Sequence, residues 1–466
     1  MEDKEINVID TDNKGEHGTN RCPNCQSSDV TYNTKKKKLI CNYCYTEFDD
    51  EKLDLNDAKD LSGETRTTGV KDIKKDANDI ITLKCSGCGA EVVINTNEAT
   101  NARCHWCRSI LSINSQIDNG AVPDVVLPFS LSKEEGQKKI KEFVDERTKY
   151  ANETFKNEFT TKNVMGVYFP YMLVDANCHG TFKGTGEHLV KKYTVKEQDK
   201  EVTKYDADLY SIERDFDISI DDLTIESSLD KLNKNSKDKT TNIINSIMPF
   251  DTENCVKYKA NYLAGYTSEK RDINISNIED KVDSELKDIT RHSLNEKLSF
   301  YNRGVKWEYE DLKVKGKQWV SAYLPVWLYS YQDEKKVLHY VAVNARTGET
   351  MGSVPMNKGK ILRTACLIDL IIFLAVLLLY FITQTDGIWA MLFLLLAGVI
   401  FYSAQVSKYR NKAARHSYEK ETKHEITNLK EKDKLIKEQK GLSNQTMIGA
   451  NNKSIKGEYT KVNIEE

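Results

Sequence analysis

A four-cysteine pattern that occurs twice before residue 110, two apolar stretches that turn back on each other after residue 360, and helix-period and strand-period segments alternating between them predict a multidomain chain. The expected architecture is two small N-terminal zinc ribbons, a duplicated α+β cytosolic domain, and a C-terminal two-helix transmembrane hairpin followed by a charged helix. At 466 residues the chain has room for two or three domains. Its net charge of −3, with 30% charged residues, exerts no global pull toward nucleic acid or acidic lipid, so any such pull has to come from local patches.

Residues 1–20 are polar, lack periodicity and are expected to be disordered. They contain no apolar run, so no cleaved signal peptide is expected and the C-terminal hairpin would itself serve as the insertion signal. Eight of the eleven cysteines then fall in Cys-x-x-Cys pairs, whereas Cys178, Cys255 and Cys366 stand alone. The first module, residues 21–50, carries Cys22, Cys25, Cys41 and Cys44. A charged linker, residues 51–82, separates it from the second module, residues 83–115, which carries Cys85, Cys88, Cys104 and Cys107 at the same intervals. A Zn²⁺ ion takes four ligands at tetrahedral corners, and two tight Cys-x-x-Cys turns supply two each. Neither a thioredoxin-like redox pair nor disulfides explain paired pairs, so two structural zinc ions are expected. Each module is too small to bury a core of its own, which makes metal binding and folding one event. Lys35-Lys-Lys-Lys38 reads as the solvated tip of a hairpin, and His105, inside an already complete ligand set, as a surface residue.

Residues 124–357 should form the α+β domain. Pro128-Phe129 opens it, and Ser132-Lys-Glu-Glu135 is a capping box for a helix whose Ile140, Phe143 and Val144 share one face. Val164-Met-Gly-Val-Tyr-Phe-Pro-Tyr-Met-Leu-Val174 follows as a buried strand, with Pro170 expected at an edge or bulge because it cannot donate to a ladder. Alternating segments at residues 181–183, 189–195 and 203–210 continue as antiparallel strands. A second cycle then repeats the plan: Met248-Pro249-Phe250, an amphipathic helix over residues 276–300, and the proline-broken strand Ser321-Ala-Tyr-Leu-Pro-Val-Trp-Leu-Tyr-Ser330. Two short strands joined by Asn344-Ala-Arg-Thr-Gly348 close the domain, the glycine supplying positive φ.

Residues 362–383 and 387–406 each approach the roughly 20 apolar residues that a helix needs to cross a bilayer. Lys358, Lys360 and Arg363 precede the pair and Lys408, Arg410, Lys412 and Arg415 follow it, while the turn carries only Asp386. Lys and Arg resist translocation, so both termini are expected in the cytosol and the chain at the plasma membrane. Asp369, the one acid in the first span, is expected to sit near the interface and reach headgroups, Arg363 or a partner helix. Beyond it, residues 407–440 read as a charged helix and residues 441–466 as a flexible tail.

No catalytic constellation accompanies these features, and no enzyme activity is expected. The chain has no Gly-x-x-x-x-Gly-Lys-Ser/Thr loop. His424-Glu-Ile-Thr-Asn428 misses the metalloprotease pattern at its last position, and Asp175-Ala-Asn-Cys178-His179 reads as a strand with a structural cysteine. Four thiolates per site leave no open coordination position.

The metal frame resembles the zinc ribbon of transcription factor TFIIB. The wider succession of two ribbons, Leu-Pro-Phe129, Val-Tyr-Phe-Pro-Tyr171, Tyr-Leu-Ala-Gly-Tyr266, Leu-Pro-Val-Trp327, Asn344-Ala-Arg-Thr-Gly348, Gly352-Ser-Val-Pro355 and a membrane segment resembles a family of Gram-positive bacterial proteins with double zinc ribbons and a membrane anchor. Some of these are encoded beside phage-shock (PspA-like) and SPFH-like proteins. The chain departs from that pattern at Met172, where tryptophan is usual, and at Ala345, where glycine is. The resemblance implies an adaptor that recruits soluble envelope-stress proteins, PspA-like or SPFH-like, to the lipid bilayer. The alternative expectation is a membrane-tethered regulator that binds nucleic acid through its ribbons.

Overall fold

The computed structural model describes residues 7–10, 20–52, 58–67, 80–96, 102–120, 123–197, 200–227, 247, 250–271, 275–294, 298–332, 338–383, 396–409 and 455–462. The first cysteine module has a sheet of its own, the antiparallel strands β2 (Val30–Asn33), β3 (Lys38–Cys41) and β4 (Glu47–Phe48). All other described strands belong to one 14-stranded sheet. Its N-terminal members are β1 (Asn7–Asp10), β5 (Glu64–Thr67), β6 (Ile80–Lys84), β7 (Glu91–Asn95), β8 (Gln116–Ile117) and β9 (Val125–Val126). Helices α1 (Lys133–Asp145) and α2 (Glu153–Glu158) lead into β10 (Met165–Glu197) and β11 (Lys200–Glu226). After them come β12 (Val256–Lys257), β13 (Thr267–Glu269), α3 (Ile275–Ser293), β14 (Gly304–Gln332), β15 (Leu338–Asn344) and β16 (Thr350–Gly352). The last described elements are helices α4 (Lys358–Thr383) and α5 (Leu396–Tyr409) and strand β17 (Ile455–Val462).

The capping box of α1 is present with both of its bonds, Ser132 Oγ accepting from Glu135 N and Glu135 Oε2 from Ser132 N. Ile140, Phe143 and Val144 are buried beneath the helix.

The sheet is centred on β10 and β14, which run antiparallel with Phe169 opposite Leu324. That register sets Tyr168 against Pro325 and Pro170 against Tyr323, so the two Tyr-x-Pro triplets are related by a local two-fold axis. The relation extends outward. Each triplet is flanked by a short parallel strand, β13 beside Val167 and Tyr168, β9 beside Ala322 and Tyr323. Each long strand then pairs with its own hairpin partner, β10 with β11 and β14 with β15. The counterpart of β9 is thus β13, just ahead of α3, whereas the expected repeat start at Met248-Pro249 lies outside the described residues.

Pro170 was expected at an edge or bulge and instead lies in the middle strand. The ladder tolerates it because it falls where β13 has ended and β11 is about to begin, and its carbonyl still accepts from Ser227 N at 3.1 Å. Pro325 occupies the same gap in β14, its carbonyl accepting from Ala345 N at 3.1 Å. Residues 181–183 and 189–195 are not separate strands but one continuation of β10, which with β11 extends as a hairpin on the order of 100 Å long at strand rise. Three further stretches are more ordered than expected. Asn7–Asp10 pairs with β5, β5 crosses the expected linker to pair with β14, and Ile455–Val462 of the expected flexible tail pairs with β11. Each adds a strand to an edge whose free N–H and C=O groups invite one, a signal that hydropathy does not carry.

Alternate residues of the central strands feed two cores. Tyr168, Tyr323 and Trp327 lie on the face covered by α1, α2 and the first module, while Val167, Phe169, Leu324 and Val326 face the second module. Buried Asp175 on β10 accepts from Asp222 N at 2.8 Å, and loss of water pushes its carboxyl up to about 6. A folded-state value above the unfolded one favours the protonated fold. The penalty is therefore absent below about pH 4 and grows as pH rises through about 6. Asp175→Asn should stabilise the domain by about 1–2 kcal/mol at pH 8, less than the two-unit shift implies because relaxation discounts it, with no gain at pH 4. Denaturant unfolding at the two pH values checks this.

Candidate metal centres

Each Cys-x-x-Cys turn aims two sulfurs at one point. In the first module Cys22 and Cys44 Sγ lie 3.4 Å apart and Cys25 and Cys41 Sγ 3.5 Å; in the second, Cys85 and Cys107 are at 3.4 Å and Cys88 and Cys104 at 3.6 Å. All four sulfurs of each group lie within 4.8 Å of one another. A tetrahedral ion with bonds of about 2.3 Å requires sulfur–sulfur edges of about 3.8 Å, so both groups have the size to close around a four-coordinate metal. Cysteines 22, 25, 41, 44, 85, 88, 104 and 107 are all free of disulfides, as are Cys178, Cys255 and Cys366. The electrostatics suit a cation. The Thr46 hydroxyl beside Cys44 holds that thiol down to about 6, and the hydrogen bond between the Cys88 and Cys104 sulfurs pulls Cys88 down to about 5 while pushing Cys104 up. Each cluster thus holds at least one thiol that ionises easily, and full deprotonation requires a positive charge at the centre.

The two modules differ in what surrounds the metal frame. The second is fused to the large sheet, since β7 pairs with both β6 and β13. Its second turn, Cys104-His-Trp-Cys107, enters the core. His105 is not the surface residue expected: it is 1% exposed, with Nδ1 3.2 Å from Thr267 Oγ1 and Nε2 3.5 Å from Glu269 Oε2. Trp106, 6% exposed, donates from Nε1 to Glu269 Oε2 at 2.9 Å and packs edge-on against Phe169 and Tyr340. Sequence reasoning missed Glu269 and Thr267, which sit more than 160 positions away on β13. Only the aromatic content of the turn hinted at a partner.

The first module rests on the domain through its β-strands. Asn261 Nδ2 donates to Val30 O at 2.9 Å, Tyr262 Oη donates to Asp50 at 3.1 Å, and the Tyr32 and Tyr262 rings lie 5.4 Å apart. Its second turn, Cys41-Asn-Tyr-Cys44-Tyr45, matches the buried turn position for position, yet Tyr43 is 79% and Tyr45 77% exposed. Of the lysines at the hairpin tip, Lys36 is paired with Glu47 and Lys38 with Asp49. The Asn344–Gly348 turn is engaged internally, Arg346 Nε donating to Asp251 at 2.8 Å.

Helix α4 is long and apolar enough over Lys358–Ile382 to cross a membrane, and its Leu370, Ile371 and Phe381 are exposed rather than packed in a core. Its start and the end of α5 meet the same segment: Asn357 N donates to Tyr150 O, and Tyr409 Oη accepts from Tyr150 N, both at 2.8 Å, while also donating to Arg147 O. Asp369, expected to reach headgroups, Arg363 or a partner helix, meets a helix: its carboxylate accepts from Gly398 N of α5 at 2.8 Å. A Cβ at Gly398 would lie 2.2 Å from Asp369 Oδ2. Gly398→Val should therefore separate the helices and lower the melting midpoint of the detergent-solubilised chain. Asp369→Asn keeps the acceptor and should leave the midpoint within a degree or two of the parent, whereas Asp369→Leu should cost about 1–3 kcal/mol. The expected charged helix at 407–440 is described only to Tyr409, and the link between α4 and α5 lies outside the described residues.

No family model and no solved structure matches this chain. It is similar to a Bacillus subtilis (strain 168) protein described as the uncharacterized protein YdjG, with 22% identity over 246 residues. The match covers 51% of this chain and 65% of the relative, just under two thirds of that protein's length.

Proposed function

We propose that the chain is a membrane-anchored zinc-binding adaptor that brings cytosolic proteins to the plasma membrane. The observation that carries this reading is the contrast between the two matched turns: one spends its aromatic residue on the domain's own core, the other presents Tyr43 and Tyr45 to solvent. An exposed aromatic pair on a rigid, metal-braced turn is suited to anchoring a partner. Zinc is the ion the four-thiolate sets favour, being redox-inert and content with a closed tetrahedron. The shared footing of α4 and α5 on residues 147–150 supports a hairpin that enters and leaves by one face, which with the flanking Lys358, Lys360, Arg363 and Lys408 gives two spans and cytosolic termini.

Partners of the PspA-like or SPFH-like kind follow from the resemblance noted above. Co-expression of a tagged PspA-like or SPFH-like protein with this chain should shift the tagged protein from the soluble to the membrane fraction, and Tyr43→Ser/Tyr45→Ser should abolish the shift while zinc content stays at two per chain. An unchanged distribution for both candidate partners refutes the adaptor reading. The nucleic-acid alternative is the weaker one, because two of the four tip lysines are neutralised by Glu47 and Asp49. It requires binding of DNA or RNA that falls steeply with salt.

A further inference from the structure

A cavity of about 860 Å³ lies where both cysteine modules meet the domain. Its rim carries Lys35 from the first module, Arg103 and Arg108 from the second, and Lys133 and Lys162 from the domain, against a single carboxylate, Glu134. Among the described residues, none of the five cations is in ion-pair contact with a carboxylate. Glu135, the other acid nearby, is held by Ser132 N in the capping box. Five positive charges against Glu134 and the neighbouring Glu135 leave +3 at one opening, in a protein whose net charge is −3. Like charges gathered without counterions repel, and such an arrangement favours an anion brought from outside.

Two other features narrow the ligand. The cavity lies at the amino end of α1, where the N–H groups of Lys133 and Glu134 are the donors the capping box does not engage. Its interior wall is aromatic, with Tyr32, Tyr266 and Trp327, the Tyr266 ring being held flat by stacking on Phe129 at 4.3 Å and 10°. Gly166 lines the same wall because any side chain there would strike the Tyr266 ring, at 2.4 Å from a Cβ. We propose that this cavity binds a small soluble ligand with a planar ring and two or more phosphates, of the nucleoside polyphosphate class, and that the ligand clamps the two cysteine modules to the domain. A lipid headgroup is the poorer occupant: α1 runs about 20 Å from the cavity toward Arg147 and Tyr150, the segment that contacts α5, so the opening lies a helix length from the membrane-proximal face.

The experiment uses the full-length zinc-loaded chain in detergent, titrated calorimetrically at 150 mM salt with ATP, GTP, inorganic pyrophosphate and adenosine, and separately by flotation with phosphatidylglycerol vesicles. ATP or GTP should bind at micromolar concentration. Pyrophosphate should bind at least tenfold more weakly and adenosine not detectably. The rim variant Lys35→Glu/Lys162→Glu, two exposed residues outside the core, should lower nucleotide affinity at least tenfold with zinc content unchanged, and Gly166→Ala provides a second, neutral probe of the aromatic wall. Absence of nucleotide binding, pyrophosphate binding as tight as ATP, or affinity indifferent to both variants overturns the assignment. So does vesicle flotation that requires the rim charges when no nucleotide binds.

Discussion

Cys104→Ser should unfold most of the large sheet domain, whereas Cys22→Ser should leave it folded. The two substitutions remove the same kind of ligand from the same kind of cluster, and the difference lies in what each cluster supports. Cys104 is buried between β7, which pairs with β13, and the His105–Trp106 turn that fills the core beside Phe169 and Tyr340. Closing a four-thiolate site is worth about 10–16 kcal/mol in small zinc modules, comparable to the whole stability of an ordinary domain at about 5–15 kcal/mol. Losing it from the second module therefore takes the sheet with it. The first module has its own three-stranded sheet, and it joins the domain through polar links, ring contacts and a share of one apolar core without adding a strand to the large sheet. Its loss should remove one metal ion per chain and leave a single cooperative melt of the remainder. Metal stoichiometry and calorimetric unfolding, with chelator titration of the parent chain, separate the two outcomes; equal melting behaviour would contradict the described division.

Trp106→Ala should destabilise by about 3–5 kcal/mol, and Tyr43→Ala at the matched position by less than about 0.5 kcal/mol. Truncating Trp106 leaves a large void in the aromatic cluster and removes the indole donor from Glu269, a buried carboxylate. Trp106→Phe should recover part of the packing but not the hydrogen bond, and so fall between. Tyr43 stands in solvent, so its truncation removes no packing. Denaturant titration of the three variants measures the order, and Tyr43 as costly as Trp106 would mean that the first module's turn is buried too.

The division between what was legible and what was not follows the range of the interactions. The two four-cysteine clusters were readable because a metal site requires short, exact-count spacing within each turn, and the spacing repeats. The capping box at Ser132 and Glu135, the positive φ at Gly348 (+81°) and the apolar run of α4 were readable for the same reason, each being set within a few residues. The place of Pro170 was not, because its tolerance depends on β13 ending and β11 beginning on either side of it, a fact about three distant segments.

By itself, then, the order of residues determined the local chemistry of this protein: two four-thiolate sets, a capped amphipathic helix, and a helix apolar enough for lipid. Only the tertiary structure decided which of two matched turns is buried, since that depends on Glu269 and Thr267 arriving from β13, and which face of α4 meets α5, since that depends on Gly398 leaving room for Asp369. The physical reason is that a turn's geometry is fixed by its own few dihedrals, while burial is fixed by whatever surface the rest of the chain brings against it.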